Sequence, residues 1–239
     1  MLKACVVNSL LFNCETFGNV IPASLAKTYN NLLRCTFNVR TNTPTHILYI
    51  ETGFLPIQAL IRARQFNFIN RIKEGLVPNS PRSKLHERLE QEPTPFFQHY
   101  VNISNKYDSV DEIYKESSEN VKTTIRRRAE QGRYKYKIYI EINPELNTSP
   151  FIHNINPICK DIIRFRLGSH FLPIETGRWS RTSRSDRLCV ECGVLGDERH
   201  ALYFCPKVKR VSLPSNISDI WSNENIVPLF IELKNAKLL

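Results

Sequence analysis

The sequence predicts a mainly α-helical protein: a helical bundle, a basic linker helix, and a small C-terminal module stabilised by zinc. Three observations lead there. Apolar residues recur at three- and four-residue steps through the first hundred positions, the period of helices that bury one face. A strongly basic helix follows a polar, proline-interrupted stretch. Near the C-terminus, Cys189, Cys192, His200 and Cys205 offer three thiols and an imidazole at the spacing of a closed four-ligand site.

Taken in order, an opening helix is expected from Leu2 to Phe17, with Leu2, Val6 and Leu10 on one face and Gly18 as its stop. Its character suggests a helix expecting neighbours, which favours a cut in a longer frame over Met1 as a true start without deciding between them. A second helix is expected over Ser24 to Phe37, with Leu25, Tyr29, Leu32 and Leu33 on one side. Thr43-Pro44, a capping hydroxyl followed by proline, opens a short helix ending at Gly53. Pro56 begins a longer one that reaches Gly75, with Ile57, Leu60, Ile61, Arg64, Phe68 and Ile72 at helical spacing. Arg62, Arg64, Arg71 and Lys73 make its remaining surface basic.

Pro78 to about Lys106 reads as a linker. Ser109-Val-Asp-Glu112 is a capping box, and the helix it opens carries Val110, Ile113, Tyr114, Val121 and Ile125 before Gly132. From Val121 to Lys137 there are seven cations, Arg126, Arg127 and Arg128 among them, against the single anion Glu130. Tyr134, Tyr136, Ile138, Ile140 and Ile142 then alternate with mostly polar residues, which predicts a short strand. Asn156-Pro157 opens another helix, ending at Gly168. The divisions expected are 1–77 helical, 78–156 linker with basic helix, 157–210 zinc-binding and 211–239 tail.

Composition limits the function classes. Of 239 residues 41% are hydrophobic, enough for real cores. The formal charge of +10, with a pI near 9.3, favours a polyanionic partner. Seven cysteines without a paired framework argue for a reducing compartment, nuclear or cytoplasmic. No stretch approaches the ~20 apolar residues of a membrane span, and the apolar run after Lys3 lacks a cleavage site, so no membrane partner is expected. There is no phosphate-binding Gly-rich loop, no Ser-His-Asp set and no acidic pair in a context suited to two metal ions. Asp111-Glu112 suits the first turn of a helix, where anions complement the dipole. The chain is therefore expected to carry no active site.

In the zinc segment, the two-residue gap from Cys189 to Cys192 lets two thiolates of one turn reach the same ion. His200 follows after seven residues and Cys205 after four more, closing the shell. With four protein ligands there is no vacancy for water, so one structural Zn²⁺ is expected. Cys5, Cys14, Cys35 and Cys159 read as ordinary buried thiols. Between Lys160 and Arg187 seven cations face three anions, and six of the seven are Arg164, Arg166, Arg178, Arg181, Arg184 and Arg187. Arginine suits forked phosphate contacts. Trp179 and His170 stand among them, planar rings able to stack on an unpaired base.

The run Arg166-Leu-Gly-Ser-His170, Ile174-Glu-Thr-Gly-Arg178-Trp179, Arg187-Leu-Cys189-Val-Glu-Cys192, Gly196-Asp-Glu-Arg-His200 and Phe204-Cys205-Pro206 resembles the C-terminal region of non-LTR (LINE-type) retrotransposon reverse transcriptases. Those proteins end in a knuckle of this C-C-H-C order and spacing. Leu11-Phe-Asn-Cys-Glu15, Val39-Arg-Thr-Asn-Thr-Pro-Thr45 and Tyr49-Ile-Glu-Thr-Gly-Phe-Leu-Pro56 are similar to the helical thumb that follows the catalytic palm. The resemblance runs from about Ala4 to Lys209, with specific motifs in its distal part and weaker ones in the thumb. It implies a thumb that grips template-primer duplex and a knuckle that holds RNA or target DNA, with the remainder of the polymerase as partner. The family's aromatic-Ala-Asp-Asp box, its fingers and its endonuclease have no counterpart here. The expectation is a binding fragment of such an enzyme that is not catalytic on its own. The alternative is a zinc-stabilised protein-interaction module derived from a mobile element.

Overall fold

Buried residues in the computed structural model group around helices, and no β-strand occurs among the described residues, 7–75, 77–91, 94–153, 156–208, 213–222 and 226–236. The helices are α1 (Asn8–Leu10), α2 (Ala23–Thr36), α3 (Thr45–Thr52), α4 (Ile57–Glu74), α5 (Pro81–Gln91), α6 (Pro95–Lys106), α7 (Val110–Glu130), α8 (Tyr134–Ile142), α9 (Pro157–Arg166), α10 (Pro173–Thr176) and α11 (Ile226–Asn235). Two compact units result. One comprises residues 1–32 and 55–121, the other 33–54 and 122–239. These units divide the chain at 32, 54 and 121, with α3 in the C-terminal one.

In the first unit α4 is the centre. Ile57, Ile61, Gln65 and Ile69 step by four into the core, with Ala59, Ala63 and Phe66 beside them. The apolar face is rotated from the one expected, since Leu60, Phe68 and Ile72 lie only at its edge. Alanine and glutamine are weak signals in a hydrophobic pattern, yet here they are the buried positions. Arg64 donates to the Leu11 carbonyl at 2.9 Å and to Asn8 Oδ1 at 2.7 Å, so it ties the N-terminal segment rather than lining a free basic face. Gln65 Nε2 donates to the Gly18 carbonyl at 2.9 Å, and the Tyr100 hydroxyl to the Glu15 carbonyl.

Several expectations are corrected here. The opening helix is interrupted: α1 is a single turn, a tight turn over Cys14–Thr16 follows, and residues 1–6 lie outside the described set. The stretch read as a linker forms α5 and α6. Its prolines start helices rather than break them: Ser80 Oγ accepts the Ser83 N–H at 3.1 Å and Thr94 Oγ1 that of Phe97 at 3.2 Å, each ahead of a proline at the first helical position. Tyr134–Ile142 is helix α8, not a strand. Its buried positions, Lys135, Tyr136, Ile138, Tyr139 and Ile142, follow helical period once Lys135 is counted as core. Residues 226–235, expected as tail, form α11, which buries Ile226, Leu229, Phe230 and Leu233.

The second unit holds a large apolar cluster. Ile138 and Ile142 of α8, Ile162 and Phe165 of α9, Trp221, and the four buried residues of α11 pack together with Cys189 and Cys205. Fully burying an aliphatic side chain stabilises by about 1.5–3 kcal/mol, so α11 is a substantial part of this unit's stability.

Charges are also buried there. Arg166 Nε meets Glu51 Oε1 at 2.6 Å, and the Tyr139 hydroxyl donates to Glu51 Oε2 at 2.9 Å. Burial works against the Arg166 charge, and Glu51 and Tyr139 outweigh it, raising its pKa. Lys135 Nζ meets Glu175 Oε2 at 2.8 Å and donates to the Gly168 carbonyl at 3.0 Å. Removing one partner of such a pair strands a charge in the core. Arg166→Ala should therefore destabilise this unit by about 3–5 kcal/mol in urea unfolding, and a loss below about 1 kcal/mol would sink the assignment.

Candidate metal centre

The backbone around Cys189 is preset for ligation. Residues 187–196 fold back on themselves through a Leu188–Leu195 antiparallel bridge, with the Cys189 N–H on the Val194 carbonyl at 2.7 Å. At the tip, the N–H groups of Cys192 and Gly193 donate to the Cys189 carbonyl at 3.3 and 2.9 Å. Gly193 takes φ +63°, a conformation that side chains disfavour, and so reverses the chain directly after Cys192. His200–Phe204 then forms a π-turn in which the Cys205 N–H reaches back five residues to the His200 carbonyl at 2.8 Å. Asp197 Oδ1 caps its start, accepting the His200 N–H at 2.9 Å.

The four candidate ligand atoms lie within 4.8 Å of one another. Cys189 and Cys205 sulfurs are 4.0 Å apart, close to the roughly 3.8 Å edge of a tetrahedron with ~2.3 Å metal–sulfur bonds. His200 Nε2 is buried without a hydrogen-bond partner, as expected of a nitrogen that serves an ion. The thiols show the same need. Burial pushes Cys189 up, but the Glu191 and Cys192 N–H groups and the Cys192 and Cys205 thiols bring it below the ordinary value. Cys192 is raised to about 11 by desolvation and then by the Cys189 and Cys205 sulfurs. A cation relieves that conflict. The set can hold one metal ion, and among the described residues no other group of three or more His, Cys, Asp or Glu is so arranged. Of the remaining thiols, Cys14 and Cys159 are buried as expected, Cys35 is exposed, and Cys5 lies outside the described residues.

The knuckle is fastened to α10. The Ile174 N–H donates to the Gly196 carbonyl at 3.1 Å. Arg187 donates to the Thr182 carbonyl at 2.9 and 3.0 Å and to that of Ile174 at 2.9 Å. Gly177 is required beneath it, because a Cβ there would come within 2.5 Å of Arg187 Cγ. Behind the knuckle, His170 Nε2 lies 3.0 Å from Glu198 Oε1, and the Tyr134 hydroxyl donates to Glu198 Oε2 at 2.7 Å. Burial raises the Glu198 pKa, but His170 and Tyr134 overcome it and hold the carboxyl near 2.

These contacts divide the residues that sequence placed in one nucleic-acid set. Arg166 and His170 are buried in internal pairs, and Arg187 is engaged with backbone carbonyls. All three are engaged inside the fold. Arg164 is mostly buried and meets Asp161 at 3.3 Å, and Arg178 meets Glu175 at 3.4 Å. Arg181, Arg184, Arg126, Arg127 and Arg128 are exposed, and Trp179 is 51% exposed.

Sequence reasoning missed Arg40. Its guanidinium lies 3.9 Å above the Trp179 ring and 4.7 Å from that of Phe171, which meets Trp179 edge-on at 6.3 Å. The Arg40 backbone N–H donates to Ser169 Oγ at 3.0 Å, while its Nη1 and Nη2 find no acceptor. Burial lowers its pKa, Glu175 opposes that shift, and Arg164 adds to it. Arg40 stands about 130 residues from its aromatic partners, so no local pattern could have signalled it. Arg184 stacks similarly, 3.9 Å over Tyr134.

No helix among the described residues is long and apolar enough to cross a membrane. No protein-family profile, curated protein or solved structure matches this chain.

Metal analysis of the purified chain should give one divalent ion per chain, lost in Cys192→Ser. Chelation should lower the melting temperature of the wild type and leave that of the variant unchanged. A stoichiometry near zero or two would refute the site as drawn.

Proposed function

We propose that this chain is a nucleic-acid-binding module built on a structural zinc knuckle, and that it is the C-terminal thumb-plus-knuckle part of a non-LTR retrotransposon reverse transcriptase. The observation that carries the binding reading is Trp179: a half-exposed indole backed by the Arg40 guanidinium, with the exposed Arg181 and Arg184 following close behind it in the chain. A nucleobase can stack on such a ring while arginines engage the adjoining phosphates. The ion is assigned as zinc because three thiols and an imidazole in tetrahedral reach suit it, and four protein ligands make its role structural. The family assignment rests on the motif resemblance, and by it the helices of the first hundred residues grip duplex through its backbone. RNA, DNA and the rest of the polymerase are then the partners, and the chain is not an enzyme on its own.

One observation favours a second reading. Val190 at the knuckle tip is 94% exposed and Phe204, beside Cys205, is 64% exposed. A protein partner could cover both, which would make the knuckle a protein-interaction module.

Gel shifts separate the two. Single-stranded RNA or DNA should bind at low salt with affinity that falls steeply as salt rises. Trp179→Ala should weaken binding about tenfold, and Arg181→Gln with Arg184→Gln should flatten the salt dependence. Negligible binding of either nucleic acid at low salt would end the first reading. A primer-extension assay on the purified chain should give no product.

A further inference from the structure

Where α3, α7 and α8 meet, a cavity of about 680 Å³ opens in the second unit. Arg127 and Arg128 reach it from the last turn of α7, and Arg133 from the residue that precedes α8. His46 and Thr45 line it from the first turn of α3, and Gln131 from the intervening turn. No carboxylate lines it. Arg166, Arg164, Arg178 and Arg199 each meet a carboxylate, whereas Arg127, Arg128 and Arg133 meet none among the described residues.

Two features make this more than a charged helix end. First, α7's own last carbonyls are already satisfied, with Gly132 N–H on Ala129 at 2.9 Å and Arg133 N–H on Arg128 at 3.1 Å. The arginines are not needed to cap them. Second, α3 and α8 both begin at this cavity, and neither has a side-chain cap at its first turn. Their leading N–H groups add donors and positive potential. One arginine is prepositioned, because Arg128 Nη1 donates to the Tyr136 hydroxyl at 2.8 Å. His46 is kept neutral by burial, with Arg128 and Arg127 adding to the effect, so it can donate a hydrogen bond without further charge.

We propose that this cavity binds a phosphate monoester, separately from the surface at Trp179. Three guanidinium groups match a terminal group with three unesterified oxygens and about two charges better than they match an internal diester. That chemistry can come from the phosphorylated end of a nucleic-acid strand or from a phosphorylated small molecule. In the first case the cavity would read strand ends for the binding activity proposed above; in the second it would serve a free ligand.

Calorimetric titration of the whole chain with inorganic phosphate, in phosphate-free buffer, tests the cavity directly. Saturable binding is expected, weakened at least tenfold in the Arg127→Gln, Arg133→Gln double variant. Both positions are exposed, so the variant should melt as the wild type does. Competition between 5′-phosphorylated and 5′-hydroxyl oligonucleotides of one sequence then identifies the source. A preference for the phosphorylated strand that vanishes in the double variant supports a strand end, and phosphate binding without that preference supports a small molecule. Phosphate binding with no oligonucleotide binding at all would retire the nucleic-acid reading and leave the cavity standing. Absence of phosphate binding, or binding unchanged in the double variant, overturns the proposal.

Discussion

Three carboxylates with almost no solvent exposure, Glu51, Glu175 and Glu198, set the geometry of the C-terminal unit. Each is far from its partner in sequence: Glu51 of α3 takes Arg166 of α9, Glu175 of α10 takes Lys135 of α8, and Glu198 takes His170. An ion pair in a low-dielectric interior is tolerated only when geometry is good and remaining polar atoms are paired. Tyr139 and Tyr134 supply that second contact for Glu51 and Glu198. A shift of α3 or α8 would therefore strand a charge, and the apolar core alone imposes no such penalty. The pairs fix register, while burial of Phe165, Phe230 and Leu233 supplies the driving force.

This arrangement explains what was legible in the sequence and what was not. Helices whose capping chemistry is local, such as that after Asn156-Pro157 and the one opened by Ser109, were readable because the decisive contacts span a few residues. Asn156 Oδ1 does accept the Ile158 N–H at 2.9 Å, and Ser109 Oγ that of Glu112 at 3.3 Å. The candidate metal ligands were readable for the same reason, since both short gaps lie within one turn. Helix α8 was not. Its fit to a helix depends on treating Lys135 as a core residue, and only Glu175, forty residues on, makes that possible. The arginines failed in the same way. Their number gave the sign of the field, but which were internal depended on carboxylates supplied from elsewhere.

The metal centre depends on the same framework. Cys189 and Cys205 belong to the apolar core that includes α11 and Trp221, so the knuckle is not an appendage whose folding rests on metal alone. Asp197 caps the turn at His200, and its neighbour Glu198 is buried against His170 and Tyr134. The histidine ligand is thus placed from two sides, through the backbone by a cap and through the preceding residues by a buried carboxylate. Positioning of this kind lowers the reorganisation needed when an ion enters.

A net charge of +10 is only a bulk quantity, and the pairing pattern converts it into particular surfaces. Arg166 is neutralised inside, and Arg187 is held by carbonyls. Among the guanidinium groups without a carboxylate partner, Arg40 lies over Trp179, and Arg127, Arg128 and Arg133 line the α3–α7–α8 cavity. Unpaired like charges held close together repel, and in a folded protein that cost persists against the many sequences that would remove it. The Trp179 surface pairs its charge with an aromatic face and is open; the cavity pairs it with helix N-termini and is recessed. The first arrangement favours a flexible strand whose bases can stack, and the second favours a compact oxyanion. The two proposed sites therefore differ in chemistry as well as in place, and one ligand class need not account for both.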